Sequence, residues 1–334
     1  SRKEPASYLN IMVVGPSGSG KTVFVRTLCE RMKQNIVPNT YKESKPMVLK
    51  EPLRNTEELY SVSMHIEENG QRTALTIIDT PGFSNSFTFD HQLRYIAKYI
   101  DHQFECTLVE ETKVKRDAKA VDTHIHACLY FIDTNGPGLN DTDRYVIKLL
   151  SSRVNILPVI GKADVLSINQ RAQFKKQFRK DIFDVLQIPI YGYISTDEDE
   201  EVDSKDNSIT VDDDDAKSDN MQLVDSLGST TIARIVELLQ ETIDDGEDED
   251  GDARAMIDYL EYMPYCLIGY EEDVETGPVK TILGRRYPWA IVECCNPEHC
   301  DFEKLRTMLL TEHRDMLRID TFERFYEQYR TEQL

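Results

Sequence analysis

The stretch MVVGPSGSGKTVFV, Met12 to Val25, constrains this chain more than any other. Apolar residues break into Gly-Pro-Ser-Gly-Ser-Gly-Lys-Thr at 15–22, and then apolar residues resume. A G-x-x-x-x-G-K-T loop between a strand and a helix is a phosphate-binding loop. Its glycines let backbone N–H groups turn onto phosphate oxygens with no Cβ in the way, and the helix N-terminus adds the positive end of its dipole. Gly15, Ser17, Gly18, Ser19 and Gly20 are expected to cradle phosphates. Lys21 is expected to reach the β- and γ-phosphates, and the Thr22 hydroxyl to ligate Mg²⁺.

The surrounding pattern alternates. YLNIMVVG (8–15), ALTIIDTPG (74–82), IHACLYFID (125–133), NILPVIGKAD (155–164) and IPIYGYI (188–194) are expected as strands or strand ends. Helical spacing is expected over 21–32, 90–111, 141–154, 167–186 and 301–330. Strand and helix in turn predict a doubly wound, mostly parallel α/β sheet covered on both faces. No internal repeat interrupts it. No apolar run reaches the roughly 18 residues of a membrane span, and no signal peptide is expected.

Charge divides the chain. Of a net −21, the segment from Ser195 to Asp252 carries 22 acidic and three basic residues, so the rest is near −2. TDEDEEVDSKD, VDDDDAKSD and DDGEDEDGD bury too little apolar surface to fold, so 196–252 is expected as a largely disordered insert. Within it STTIARIVELLQETI (229–243) has helical spacing and is expected as one amphipathic helix, docked on its own domain or offered to a partner. Such an insert opposes nucleic acid and anionic membranes alike. The seven cysteines form no regular framework, which points to a reducing compartment, the cytosol. Cys294, Cys295, His299 and Cys300 lack a CxxC spacing, and ordinary packing is expected there rather than zinc.

Two further motifs specify the ligand. In DTPG (79–82), Asp79 can hold Mg²⁺ through water and the Gly82 N–H can face the γ-phosphate. In GKAD (161–164), Asp164 can accept two hydrogen bonds from guanine N1 and N2 while the Lys162 stem lies along the base. Adenine offers no such donors, so Asp164 favours GTP over ATP and weighs against a P-loop ATPase or kinase. Phosphate loop, DxxG and KxD, in that order, are the motifs of a P-loop GTPase fold.

With these motifs in place the sequence resembles the septins, filament-forming GTPases. GRRYPWAIVECCNPEHCDFEKLRTMLL (284–310) looks like their family-specific element. HACLYFID (126–133), VNILPVIGKAD (154–164) and YEQYRTEQL (326–334) match in order. Gly161 stands where other GTPases carry Asn; the septin version of the motif, Ala-Lys-Ala-Asp, also lacks Asn. The resemblance implies a GTPase domain over 8–320, a septin-specific element over 279–320 and the start of a C-terminal region over 321–334, where many members continue into a coiled coil. It implies GTP/GDP and Mg²⁺ as cofactors, Arg285 stacked on guanine, the Gly269 backbone against the base, and Trp289 beside the interface that forms across the nucleotide. Thr56 matches the switch threonine that septins use in catalysis and Mg²⁺ ligation.

Further implications are slow GTP hydrolysis, or a structural subunit holding GTP without hydrolysing it. Partners would be other septins, through nucleotide-side and terminal-helix interfaces. The place would be cytoplasmic filaments or a septin ring at the cell cortex, acting in cytokinesis. The sequence also departs from the family pattern. Pro137 replaces a His in GPGL, Phe83 follows DTPG, and Arg2 and Lys3 are the last of the basic stretch that binds lipid, leaving room for weak membrane contact. A divergent, fungal-type member is implied.

Overall fold

The structure, a computed structural model, describes residues 7–44, 59–84, 86–113, 121–195, 214–271 and 283–333. Its central strand, β1 (Ser7–Val14), is buried over its last six residues because it is flanked on both sides. It pairs in parallel with β4 (Gln71–Asp79) and with β5 (Ala127–Phe131). The seven strands run in the order β2-β3-β4-β1-β5-β6-β7, where β2 is Lys42–Glu43, β3 Tyr60–Glu68, β6 Ile156–Ile160 and β7 Tyr265–Cys266. Only β2 and β3 are antiparallel to their neighbours. The β3–β4 hairpin turns on Asn69 and Gly70, both at positive φ. On β3 the residues Tyr60, Val62, Met64 and Ile66 are buried in strict alternation, the signature of a strand with one covered face.

Helix α1 (Lys21–Met32) leaves β1 through the glycine loop. Helices α2 (Ser86–Thr112), α3 (Asp141–Leu150) and α4 (Ile168–Arg179) follow β4, β5 and β6, as the right-handed α/β winding requires. His126 sits at the entry to β5. Its Nδ1 accepts the Asn10 N–H and its Nε2 meets Asp122, which is strand packing.

Two expectations need correction. The run 188–194 is not a strand: Gln187 and Gly192 take positive φ, Pro189 offers no N–H, and β7 occupies the sheet edge. Ile188, Ile190 and Tyr191 are apolar because they are buried, and Tyr191 N–H reaches Ile156 O at 3.2 Å. The insert is also more ordered than its composition suggests. Residues 214–244 form two helices, α5 (Asp214–Leu227) and α6 (Thr230–Asp244), before α7 (Asp252–Tyr262). Leu227, Ile232, Ile235 and Val236 are buried against the domain. Asp184, at the end of α4's continuation, accepts from Ser229 Oγ and the Thr230 and Thr231 N–H groups, capping α6 from outside. Residues 196–213, the rest of the acidic run, lie outside the described residues.

The C-terminal part begins with the hairpin β8 (Gly284–Arg286) and β9 (Ile291–Glu293). The stretch expected as helical over 301–330 is helical, built of α8 (Phe302–Thr307), α9 (Arg314–Asp320) and α10 (Glu327–Gln333) with wider π-type turns between them. Arg306 Nη1 meets Glu68 at 2.7 Å and its Nε meets Glu303 at 3.0 Å, while Arg31 Nε meets Glu303 at 2.7 Å. This chain of charges ties the last turn of α1 to α8 and to the end of β3.

Candidate nucleotide site

Every described residue named for phosphate or base gathers at the C-terminal end of the sheet, where open α/β sheets bind ligands. Gly20 takes φ 101 and caps α1 without a side chain, so the first N–H groups of the helix face the loop's interior. Gly18 is also left-handed, and Ser19 folds back through its hydroxyl onto Pro16 O at 2.8 Å. Lys21 Nζ lies inside the loop, donating to Gly15 O at 3.0 Å and Pro16 O at 2.7 Å. Burial pushes its ammonium down to about 8, opposed by the Asp79 carboxylate.

Thr22 Oγ1 donates to Asp79 Oδ2 at 2.6 Å, so the last residue of β4 and the first turn of α1 share one polar centre. The DTPG loop lies directly on the phosphate loop. Ser17 N–H donates to Phe83 O at 2.9 Å and Phe83 N–H to Gly15 O at 3.2 Å. A Cβ on Gly82 would stand 2.5 Å from Ser17 Cα, so no larger residue fits there. Phe83 is buried and its ring packs on Phe89 at 5.1 Å, edge to face. The residue after DxxG is therefore part of the packing.

The base end of the site is built from GKAD and from 267–269. Leu267 N–H donates to Ile160 O and Ala163 N–H to Leu267 O, stitching the two loops together. Lys162 takes φ 52 and opens the short turn 163–165. A Cβ on Gly161 would stand 2.0 Å from Ser19 O, which explains why Asn is absent at this position. Gly269 packs equally closely on Val23. A crevice lined by Gly20, Phe131, Gly161, Lys162, Gly269 and Arg285 runs between these loops.

Asp164 stands behind Arg285, which lines the crevice. The Asp164 side chain is 2% exposed, and Oδ2 accepts from Arg285 Nη1 at 3.1 Å and from the Tyr287 hydroxyl. Its Oδ1 and the Nε of Arg285 are buried without a partner among the described residues. A buried guanidinium N–H left unsatisfied at the crevice, with an unsatisfied carboxylate oxygen on its ion-pair partner, suits a polar planar ligand. Here Arg285 is ion-paired with Asp164. The sequence reading missed Tyr287, although Arg285, Tyr287 and Trp289 alternate along one stretch of chain. Trp289 is 80% exposed and stacks on Tyr287, centroids 5.5 Å apart. Thr56 lies outside the described residues.

The septin family model matches residues 6–213 and 210–334. The chain belongs to the septin family. Neuronal-specific septin-3 of Danio rerio is 33% identical over 325 residues, 97% of this chain and 74% of that protein. Septin-4 of Rattus norvegicus is 33% identical over 322 residues, 96% of this chain and 58% of that one. Among solved structures, the septin GTPase domain of Chlamydomonas reinhardtii matches with a TM-score of 0.62 at 20% identity, covering 98% of this chain and 99% of its own. Cdc11 of Saccharomyces cerevisiae matches at 0.52 and 24%, covering 98% and 100%. These likenesses show the fold, and none assigns a fungal subgroup. The septin fold makes this a guanine-nucleotide-binding domain. No helix among its described residues is long and apolar enough to cross a membrane.

Proposed function

We propose that this septin binds GTP and GDP at the crevice, assembles with other septins into hetero-oligomeric filaments, and turns GTP over slowly with Mg²⁺. The observation that carries the base assignment is Asp164 Oδ1, a buried acceptor without a partner among the described residues, on the carboxylate that pairs with the crevice residue Arg285. Guanine presents N–H donors to such an oxygen and adenine does not. Gly15, Ser17, Gly18, Ser19 and Gly20 would wrap the phosphates, with Lys21 supplying charge and Gly82 a backbone N–H. Thr22 Oγ1 and Asp79, the latter through water, would hold Mg²⁺, which neutralises charge on the β- and γ-phosphate oxygens. Lys162 and Arg285 would flank the base, Arg285 by turning its guanidinium from Asp164 onto the ring.

Phe83 bears on turnover. A ring packed into the core cannot orient an attacking water, and this favours a second reading, a subunit that holds GTP as a structural part. Thr56 is then the residue on which hydrolysis depends. Thr56→Ala abolishes turnover under the first reading and changes nothing under the second.

Assembly is supported by exposed apolar side chains at both ends of β1, about 25 Å apart for eight residues of strand. Phe87, Val165, Ile168 and Trp289 are exposed near the phosphate-loop end. Val121, Ile319 and Phe322 are exposed around the cleft that Ser7 lines at the other. Large apolar residues in two separate exposed groups fit two interfaces per subunit. Membrane contact is at most weak. In the basic stretch of α4, Lys175 pairs with Asp301, Lys176 donates to Asp225 O, and Arg179 donates to Met263 O and Leu227 O. The place of action is the cytoplasmic septin cytoskeleton at the cortex, in cell division.

The test is to denature the purified chain and identify the released nucleotide by ion-exchange chromatography. GDP, with direct GDP uptake excluded by a turnover assay, supports a slow enzyme. GTP alone supports the structural subunit, and ATP overturns the base assignment.

A further inference from the structure

The crevice wall at 267–269 follows β7 with no regular structure of its own, so its position is set by what it touches. On one side Leu267 is bonded to Ile160 and Ala163. On the other side the chain meets α1. Tyr270 N–H donates to Thr27 Oγ1 at 3.2 Å, and that hydroxyl donates to Val23 O at 2.7 Å, one turn back on the same helix. The bond to Val23 is one that any threonine inside a helix can make. The bond from Tyr270 joins residues 243 apart in sequence, and Thr27 is fully buried. Between these two attachments the wall is pressed onto the helix: a Cβ on Gly269 would stand 2.0 Å from Val23 Cγ1 and 3.5 Å from Thr27 Oγ1. One residue past Tyr270, Glu271 N–H donates to Gly284 O at 3.1 Å, where the hairpin that carries Arg285 begins.

We propose that Thr27 is a positioning residue whose hydroxyl fixes the base wall against the helix that starts in the phosphate loop, and so sets the span between the phosphate and base ends of the site. The proposal rests on guanine nucleotide being the ligand. Thr27 acts through Tyr270, and from there in two directions: back to Gly269 beside the base, and on through Glu271 to the hairpin of Arg285. Without the hydroxyl the Tyr270 N–H faces a side chain that cannot accept, and an N–H left without a partner moves until it finds one. That movement shifts the base wall and leaves the phosphate loop, at the start of the same helix, where it was.

The test is calorimetric titration of the full chain, stripped of nucleotide, with GDP, alone and in competition with inorganic pyrophosphate, which can occupy the phosphate loop but has no base. Thr27→Val keeps the branched shape and puts a methyl group in place of the hydroxyl. It is expected to lower GDP affinity about tenfold and to leave pyrophosphate affinity within about twofold of the wild type. Thr27→Ser restores the hydroxyl and is expected to bring GDP affinity back to within about threefold. A threonine that merely stabilises α1 would lower both affinities together. Equal losses for the two ligands, unchanged GDP affinity in Thr27→Val, or a Thr27→Ser chain as weak as Thr27→Val overturns the proposal while leaving GDP as the ligand. Pyrophosphate that displaces no GDP from the wild type overturns it too, because the two ends of the site would then not act separately. A wild type that binds no GDP overturns the guanine reading itself.

Discussion

Gly161→Ala should disable the site through a single methyl group. The added Cβ would stand 2.0 Å from Ser19 O and 2.9 Å from Phe131 Cδ1, whereas real Cβ atoms essentially never approach below 3.0 Å. Ser19 O is backbone inside the phosphate loop, so no rotamer change relieves the overlap. The loop and the GKAD turn must part by about 1 Å, and overpacking of this kind costs about 1–3 kcal/mol. If the strain falls on the loop that binds phosphate, GDP affinity drops about 10- to 100-fold. Part of it appears as a melting temperature lower by several degrees, at about 2–4 °C per kcal/mol. Titration with GDP and a thermal melt of the same preparation separate the two shares. A variant that binds GDP within about twofold of the wild type and melts at the same temperature would show that the loops are not in contact, and the account of the missing Asn would fail with it.

Other outcomes follow from other parts of the molecule. Asp184→Ala removes the outer cap of α6 and leaves only the Ser229 hydroxyl accepting the Ile232 N–H; hydrogen bonds from Thr231, Ser229 and Thr230 hold the Asp184 carboxyl below its usual range against the cost of burial. The loss is expected at about 1–2 kcal/mol by urea denaturation, with hydrogen exchange rising first in 230–236. Burial lowers the His313 imidazole to about 4, its nitrogens facing the Tyr191 hydroxyl and Ala255 O. Between its ordinary value near 6.5 and 4 the unfolded chain binds a proton that the folded one refuses, so stability falls with falling pH, by up to about 3 kcal/mol from this group. A urea midpoint that falls just as steeply in His313→Gln would refute that assignment. For Lys21, lowered to about 8, phosphate binding at pH 9 must take up a proton. GDP affinity is expected to fall about tenfold from pH 7 to pH 9, and a flat profile would count against Lys21 as the phosphate cation.

The phosphate loop was legible in the sequence because its demands are on the backbone: glycines, a lysine and a hydroxyl at fixed spacing admit few geometries. Asp164 stood out in the sequence by its place in GKAD, and the structure buries its side chain against Arg285; its role toward guanine stays a proposal. The run 188–194 was misread because an apolar segment looks the same whether it is buried as a strand or as a loop, and the deciding facts are the positive φ of Gln187 and Gly192. In the insert, acidic residues outnumbered the apolar ones that matter. Leu227, Ile232, Ile235 and Val236 suffice to dock two helices, with Asp184 supplying the cap from elsewhere in the chain. The alternation of Tyr60, Val62, Met64 and Ile66 announces β3, yet it lies between two louder motifs and was passed over. Tyr287 escaped notice because its partner is 123 residues away.

Helix α1 starts at Lys21 against the phosphate loop and ends beside Arg31, which is joined through Glu303 and Arg306 to Glu68. At 1.5 Å per residue it is a lever about 18 Å long. One arm bears on the ligand, and the other is anchored to the C-terminal helices and to the edge of the sheet. A tilt of α1 that followed from a change at the phosphate loop would therefore load these ion pairs. Their far partners, Glu303 on α8 and Glu68 at the end of β3, belong to segments outside the phosphate loop, so a displacement at that loop would be felt at a distance from it.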